Sequence, residues 1–313
     1  MSLPHYYSKL DPFRDVFVTG APVLTYHHVA PIRRGARVKW LYHNPKLFAQ
    51  QTAELREAGF STPEFGTILE PSAPNGVVTP ALVPLAVPAG RMGEDYSAPS
   101  PNFAPSRQFP AQRRQGNLHR HIYLTFDDGF CDVFQRALPI LVQNRFRSML
   151  YLVSSLVGKT NEWQLKLGDV VEPIMDVVQV REWLAAGQEI GAHTHTHPHL
   201  IQVSVAVARE EIAASKKSLE DRFGVSIEHF NYPYGEWNKV IRDLVIEAGF
   251  KTACTVDLGV NTAETSPFEL KRFIARSDSN SPKVLWQRLC RRGAQASKLL
   301  CRIRLATGLT VAK

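Results

Sequence analysis

Residues 122–129 read Ile-Tyr-Leu-Thr-Phe-Asp-Asp-Gly, an apolar run that ends in two adjacent carboxylates and a glycine. The apolar run predicts a buried β-strand, so that Asp127 and Asp128 lie at its carboxyl end. Two neighbouring carboxylates repel each other, and a bound cation relieves that repulsion. A ligand-free Asp-Gly turn explains the same residues. This stretch alone therefore leaves a metal site and a structural turn as equal alternatives.

Strand-like and helix-like segments alternate on both sides of this stretch. The N-terminal side contains a predicted strand at 22–26 and a predicted helix at 45–59. The C-terminal side continues the alternation, with predicted strands at 148–153, 189–193, 229–232 and 252–256 and predicted helices at 133–143, 178–186, 204–223 and 239–248. Repeated βα units predict an α/β fold with parallel strands and covering helices. In such folds the functional residues collect at the carboxyl ends of the strands.

Two segments depart from this alternation. Residues 71–117 contain nine prolines mixed with alanine, serine and glycine, which predicts a long irregular insertion. Residues 282–313 contain eight Lys and Arg and no acidic residue, with apolar side chains at near-helical spacing. This pattern predicts a basic amphipathic C-terminal helix. Such a helix either packs on the body of the protein or rests on an anionic membrane surface.

The composition of the 313-residue chain is typical of a globular protein, with 44% hydrophobic and 21% charged residues. We expect a single domain over residues 1–313 that includes the insertion and the tail. The formal net charge of +8 comes from the tail, because the other 29 Lys and Arg residues balance 29 acidic residues, and no nucleic-acid partner is expected. Scattered cysteines, no visible secretory signal and no apolar span of ~20 residues indicate a cytoplasmic protein.

A histidine-rich stretch follows the predicted strand at 189–193. Residues 193–199 read His-Thr-His-Thr-His-Pro-His, and four histidines in seven residues are hard to explain by packing. Two imidazoles and one carboxylate form a ligand set for zinc or another divalent first-row metal. The His-x-x-x-His spacing fits His193 with His197, and it fits His195 with His199 equally well. Spacing alone leaves both ligand pairs open.

Three motifs, in this order, resemble those of the polysaccharide deacetylases, carbohydrate esterase family 4. They are Thr-Phe-Asp-Asp-Gly at 125–129, His-Thr-His-Thr-His-Pro at 193–198 and Tyr-Pro-Tyr-Gly at 232–235. The resemblance covers about residues 22–272 without the insertion, and it implies a distorted (β/α)7-type barrel. It also implies site roles, with Asp127 as the catalytic base and with Asp128, His193 and His197 as the metal ligands.

The same resemblance implies roles for residues around this centre. Pro233 and Tyr234 match a motif that forms a groove wall, where the backbone N–H of Tyr234 helps to bind an oxyanion. Many family members carry an arginine at the position of Asn231, where it orients the base. That arginine is missing here, and Arg272 is the candidate that replaces it.

An N-terminal motif extends the resemblance to a subgroup. Thr-Tyr-His-His-Val at 25–29 is similar to the Tyr-His motif of members with a rearranged strand order, which include bacterial deacetylases of poly-β-1,6-N-acetylglucosamine. The resemblance implies that His27 is the general acid. His28 faces the opposite side if the segment is extended. A buried core histidine is the alternative interpretation of His27.

These expectations combine into one function with two alternatives. The first is a metal-dependent hydrolase that removes acetyl groups from N-acetylated sugars of a polysaccharide or oligosaccharide, lipid-linked glycans included. Zinc is the expected metal, with cobalt, nickel or iron as alternatives. The same site would suit an O-deacetylase or a hydrolase of small cyclic amides. A non-catalytic carbohydrate-binding protein is the alternative from another class. The expected partners are an acetylated glycan and, through the basic tail, an anionic membrane.

Overall fold

A computed structural model of the protein describes residues 20–57, 59–69 and 121–275. The predicted insertion at 71–117 and the predicted basic helix at 282–313 lie outside the described residues. Among the helices within the described ranges, none has the length and apolar character needed to cross a membrane.

Nine strands are present in the described chain. They are β1 (Val23–Tyr26), β2 (His28–Val29), β3 (Tyr42–His43), β4 (Tyr123–Phe126), β5 (Met149–Leu152), β6 (Glu189–Ala192), β7 (His229–Asn231), β8 (Thr252–Cys254) and β9 (Phe273–Ile274). Seven of them form one parallel sheet in the order β8-β7-β6-β5-β4-β1-β9, and β2 pairs with β3 separately. The predicted parallel α/β architecture is therefore confirmed, and β2, β3 and β9 were not predicted from the sequence.

Within the described ranges, five α-helices connect or cover these strands. They are α1 (Pro45–Glu57), α2 (Leu138–Asn144), α3 (Val177–Ala185), α4 (Val205–Phe223) and α5 (Lys239–Glu247). Polar side chains cap three of the helix starts, because Asp176, Ser204 and Asn238 each accept a hydrogen bond from a backbone N–H in the first turn. The helices predicted within the described residues are confirmed, with one change of type.

The predicted helix at 133–143 begins with a π-helical turn, Val133–Ala137, before α2 starts. Pro139 lies in the first turn of α2 and has no N–H to donate. The regular ladder of hydrogen bonds is therefore interrupted at this point, and a wider turn precedes the proline. Sequence periodicity does not distinguish the two helix types over so short a stretch.

A short C-terminal segment joins the two edges of the sheet. Leu270 forms a parallel bridge to Cys254 of β8, and Phe273 pairs with Leu24 of β1. Residues 270–274 therefore curl the sheet toward a closed barrel. The side chain of Arg272, in the middle of this closing segment, is 1% exposed. The segment thus carries a charged group into the interior.

The core fills the space between the sheet and its helices. Strands β4 and β5 are buried along their whole length. Trp183 of α3 is fully buried, lies edge-on to Phe126 with 6.0 Å between ring centroids, and donates its indole N–H to the carbonyl of Glu189. Replacing such a residue by alanine typically costs about 3–5 kcal/mol. This packing fixes β4 and β6, the strands whose carboxyl ends carry the predicted site.

Candidate active site and metal centre

The predicted site residues meet at the carboxyl ends of the parallel strands. Asp127 and Asp128 follow β4 directly, His193 follows β6, and Tyr234 lies just beyond β7. The Asp-Asp turn requires the glycine that ends it, because Gly129 has φ +85° and a Cβ there would lie 2.5 Å from the Leu152 side chain. The topology therefore gathers, at one edge, residues that are far apart in sequence.

Unusual backbone conformations concentrate at this edge. Five non-glycine residues of the described chain have positive φ, and four of them belong to the site or its loops. They are Asp128 (φ 73°), Thr194 (φ 64°), His197 (φ 67°) and Tyr234 (φ 59°). Such conformations cost about 1–3 kcal/mol each and persist where the surroundings enforce them. Backbone strain and candidate chemistry thus coincide.

Three buried side chains converge as a candidate metal centre. Asp128 Oδ1 lies 3.4 Å from His193 Nε2 and 3.4 Å from His197 Nε2, and the two imidazole nitrogens are 3.2 Å apart. Ligands of a tetrahedral zinc ion at about 2.0–2.1 Å are separated from one another by about 3.3 Å. The spacing and the Asp-His-His donor set therefore fit a zinc-sized divalent cation.

The other possible histidine pair does not enter this centre. His195 Nδ1 lies 2.8 Å from Ser154 Oγ, and His199 Nδ1 lies 2.8 Å from Glu236 Oε2. Among the described residues, the group able to hold a metal consists of Asp128, His193 and His197. The structure therefore brings together the ligand set that the family resemblance implies.

The protonation states in the centre also suit a cation. Burial alone would raise the pKa of Asp128, but hydrogen bonds from His193 and His197 hold that pKa well below its usual range. Burial lowers the pKa of His197, and the charge of Asp128 only partly opposes this. An ionised carboxylate and a neutral imidazole are the forms that bind a metal.

Asp127 is held by Arg272 rather than by histidines. The Arg272 guanidinium donates to both carboxylate oxygens, from Nη1 to Oδ1 at 2.8 Å and from Nη2 to Oδ2 at 2.9 Å. It also donates to the side-chain oxygen of Asn231 at 2.8 Å and to the carbonyl of Thr255 at 2.8 Å. Burial would raise the pKa of Asp127, but the charge of Arg272 leads to a lowered pKa. The carboxylate is therefore kept ionised in a fixed orientation.

Arg272 contacts Asn231, the position at which the resemblance implies an arginine. Asn231 is fully buried, and its side-chain oxygen accepts a hydrogen bond from Nη2 of Arg272. Its backbone carbonyl lies 2.8 Å from Nδ1 of His193. Asn231 therefore touches both the Asp127 contact and a candidate metal ligand.

His27 and His28 face different surroundings. His27 Nε2 lies 3.8 Å from Asp127 Oδ2, and its side chain is 17% exposed. Burial lowers the pKa of His27, while the charge of Asp127 raises it in part. His28 is buried, and its Nδ1 lies 2.7 Å from the carboxylate of Asp132. Only His27 therefore borders the site.

Tyr234 and Pro233 form part of the site wall, as the resemblance implies. Pro233 is buried, whereas Tyr234 is 37% exposed. The Tyr234 ring lies edge-on to His197 at 4.7 Å and stacks on His199 at 3.8 Å. Its phenol borders the metal centre on the exposed side.

Several residues that hold the site in place were not predicted from the sequence. Glu211 of α4 accepts hydrogen bonds from the backbone N–H groups of His195 and Thr196 and from the Thr196 hydroxyl. Asp132 accepts a hydrogen bond from the backbone N–H of Val29 in addition to its contact with His28. These partners are distant in sequence, and no local motif marks them.

The chain is similar in sequence to known deacetylases. The model of the polysaccharide deacetylase family matches residues 114–253. A poly-beta-1,6-N-acetyl-D-glucosamine N-deacetylase of Staphylococcus aureus (strain MSSA476) is 22% identical over 186 residues, which are 56% of this chain and 62% of that protein. The chain spans about half to three fifths of the curated relatives that it matches.

Two solved structures share the fold. Streptococcus pyogenes deacetylase PplD in complex with acetate has a TM-score of 0.61 and 21% identity, with 86% of this chain and 97% of that chain covered. IcaB from Ammonifex degensii has a TM-score of 0.60 and 22% identity, with the same coverage of 86% and 97%. The (β/α)7-type barrel architecture is thereby confirmed for the described residues. The resemblance to the polysaccharide deacetylases, carbohydrate esterase family 4, is therefore confirmed over residues 114–253, and the curated relatives that the chain matches include poly-β-1,6-N-acetylglucosamine deacetylases.

Proposed function

We propose that this protein hydrolyses the acetamide bond of N-acetylated sugars within a polysaccharide or oligosaccharide, with the help of a divalent metal. One observation carries the proposal: a buried cluster of three metal-binding side chains lies directly beside an ionised carboxylate that Arg272 fixes on both oxygens. The name of the Staphylococcus aureus relative points to the same class of substrate. A lipid-linked glycan is included in the proposed substrate class.

Asp128, His193 and His197 would hold the metal, and we propose zinc, with cobalt, nickel and iron as alternatives. When bound, a divalent cation polarises a carbonyl oxygen and makes a water molecule more acidic. The protein side chains must then supply a base, an acid and an environment for the developing negative charge.

Asp127 is the proposed base. Its ionised form is stabilised by Arg272, and each of its oxygens retains a free lone pair beyond the one that the guanidinium occupies. Asp127 can therefore accept a proton from an attacking water molecule without breaking its contact with Arg272. The bidentate contact also prevents rotation of the carboxylate, which keeps it directed at the site.

His27 is the proposed acid. Attack of water on the acetyl carbon is followed by cleavage of the C–N bond, and the departing sugar nitrogen must take up a proton to leave as an amine. His27 lies on the partly exposed side of Asp127, with 3.8 Å between Nε2 and Oδ2. Within the described site, His27 is the imidazole that contacts Asp127 without belonging to the metal cluster. The products are acetate and the free amino sugar.

Tyr234 is the proposed oxyanion donor, through its backbone N–H. Its left-handed backbone conformation and its ring contact with His197 hold this peptide beside the metal centre. A fixed N–H at this point would stabilise the negative charge that develops on the acetyl oxygen.

Acetate release tests the proposed activity. The full chain should release acetate from N-acetylglucosamine oligomers, and a chelator should stop the release until zinc is restored. Release only from O-acetylated glycans or from small cyclic amides would support the alternative hydrolase functions. A protein that binds glycans and metal and hydrolyses none of these substrates would contradict the proposal and favour a carbohydrate-binding protein.

We also propose a cytoplasmic location with a membrane contact through the basic segment at 282–313. Its excess of eight Lys and Arg over acidic residues supports attraction to anionic lipid. Deletion after Ser281 should leave acetate release from soluble oligomers unchanged and reduce sedimentation with anionic vesicles. Equal sedimentation of the two proteins would contradict the membrane contact.

A further inference from the structure

The two histidines of the metal centre are held in different ways. His193 Nδ1 lies 2.8 Å from the carbonyl oxygen of Asn231, and such a hydrogen bond normally fixes the ring of a metal ligand. His197 Nδ1 is also buried, but it has no hydrogen-bond partner in the described part of the chain. The orientation of the His197 ring must therefore depend on other contacts.

Aromatic rings enclose the His197 imidazole. The indole of Trp163 stacks on it, with 4.4 Å between ring centroids and 20° between the ring planes. Tyr234 lies edge-on at 4.7 Å, and the His193 ring lies edge-on at 4.8 Å. Trp163 therefore makes the near-parallel contact with the imidazole, and the two other rings meet it at steep angles.

The stacking contact with Trp163 controls the direction of the His197 Nε2 lone pair, which decides whether the imidazole can bind a metal. The lone pair of Nε2 lies in the plane of the imidazole ring, so rotation of the ring about its bond to Cβ turns the lone pair away from Asp128 and His193. The hydrogen bond of His193 resists such rotation. For His197 the flat face of Trp163 resists it instead, because rotation would force one ring edge into the indole.

Trp163 comes from a different part of the chain and has its own support. It lies in the 3₁₀-helix Glu162–Leu167, which follows β5, and its ring packs near Phe130 with 6.5 Å between centroids. Phe130 in turn stacks on the buried His28 at 3.7 Å. The indole thus packs near a buried aromatic ring that is itself stacked on another buried ring. Tyr234 is a weaker candidate for this task because 37% of its side chain is exposed.

We propose that Trp163 is a positioning residue for the metal ligand His197, whose imidazole plane it fixes in place of the hydrogen bond that His193 has. The inference rests on the proposed metal-dependent function. It predicts that metal affinity depends on a side chain that offers no ligand atom. Loss of a supporting partner of a metal-binding histidine typically weakens metal affinity by about 10–100-fold.

The experiment measures zinc affinity of the metal-free full chain by competition with a chromogenic chelator. Trp163→Leu removes the flat ring and should weaken binding by about 10–100-fold, whereas Trp163→Phe keeps a stacking face and should restore most of the affinity. Trp237→Phe is the matched control, since Trp237 contacts the Tyr232 ring rather than His197, and it should bind zinc like the unchanged protein. Equal affinity of Trp163→Leu and the unchanged protein would overturn the inference.

A spectroscopic measurement separates positioning from general destabilisation. Bound Co²⁺ has a visible absorption spectrum that depends on the geometry of its ligands. Trp163→Leu should change this spectrum, and Trp163→Phe should largely restore it, at temperatures where both variants are folded. If Trp163→Leu does not fold, Trp163→Met serves in its place. An unchanged Co²⁺ spectrum in the folded variant would contradict the inference.

Failure of the proposed function would look different. His193→Ala removes a ligand, so its zinc binding should be lost if the centre is a metal site at all. If the unchanged protein binds no zinc, or binds it as well after His193→Ala, the metal-dependent function itself is wrong. If only Trp163→Leu behaves like the unchanged protein, the metal centre stands and the role of Trp163 is wrong.

Discussion

Asp127 and Asp128 are neighbours on the same turn, yet they belong to two differently built halves of the site. The histidine half consists of Asp128, His193 and His197. The arginine half consists of Asp127, Asn231 and Arg272. The first half converges on a space for a cation, and the second already contains its cation in the form of a guanidinium. Two identical side chains thus obtain different chemistry from their partners alone.

The largest expected effect is a loss of acetate release, and zinc content should show whether the histidine half or the arginine half has been changed. Asp127→Asn should lower the rate of acetate release by about 10²–10⁴-fold, because it removes the base while leaving the ligands in place. Its zinc content should stay near one ion per chain. His193→Ala should lose both zinc and activity. If zinc content fell as far in Asp127→Asn as in His193→Ala, the division of the two carboxylates would be wrong.

The next effect concerns the buried charge in the arginine half. Arg272→Met leaves Asp127 buried without its guanidinium partner, and breaking such a buried ion pair typically costs about 3–5 kcal/mol of unfolding free energy. Arg272→Lys keeps a positive charge but loses the two parallel hydrogen bonds. The rise in the activation free energy of acetate release should therefore exceed the fall in unfolding free energy. Chemical denaturation and acetate release measure the two quantities. A fully active Arg272→Met protein would show that Asp127 does not need this partner.

Substitution of His27 tests whether the proton donor lies beside the arginine half. His27→Ala should lower acetate release by about 100-fold with the zinc content unchanged, because an acid typically contributes about 10²–10⁴-fold. His28→Ala is an unsuitable control since His28 is buried and bonded to Asp132. His199→Ala changes an imidazole on the other side of the site and should have a smaller effect. Near-normal rates in His27→Ala would remove His27 as the acid.

The smallest effect concerns Glu189, a carboxylate that belongs to neither half of the site. Burial raises the pKa of Glu189, at the start of β6, to about 7, and the backbone N–H of Phe65 opposes this only in part. Because the folded pKa lies above the usual 4.5, this residue's contribution to stability is complete below pH 4.5 and is lost as the pH rises through 7.

Glu189→Gln should therefore stabilise the protein at pH 8 by up to about 3 kcal/mol, and it should change little at pH 4. Urea denaturation at the two pH values measures the difference. An equal effect at both pH values would mean that Glu189 does not titrate as its surroundings indicate.

The histidine half could be predicted from the sequence more fully than the arginine half. Residues 125–129 and 193–197 each follow an apolar strand as a continuous motif, so local pattern and resemblance together point to the ligands. The bidentate contact joins Asp127 to Arg272, which are 145 positions apart, and no motif surrounds the arginine. The resemblance offered Arg272 only as a candidate, and its contact with Asp127 follows from the curling of the sheet, in which residues 270–274 join both edges.

The aromatic support of His197 shows the same limit. Trp163 lies in a short 3₁₀-helix without amphipathic periodicity, and its role depends on a hydrogen bond that His197 lacks. The π-helical turn at Val133–Ala137 was also not predicted, because a proline in the following turn, rather than the hydrophobic pattern, determines it. Hydrophobic spacing reports which face is buried and says little about which partners meet there.

The closing segment at 270–274 also sets an order of assembly during synthesis of the chain. The three metal-binding side chains have all left the ribosome once residue 197 has emerged, but Arg272 follows 75 residues later. Until then, both sheet edges at β1 and β8 lack the strand that joins them, and Asp127 has no countercharge. A nascent chain can therefore carry all three candidate metal ligands before Arg272 reaches Asp127, so the fixed orientation of the proposed base arrives only with the segment that contains β9.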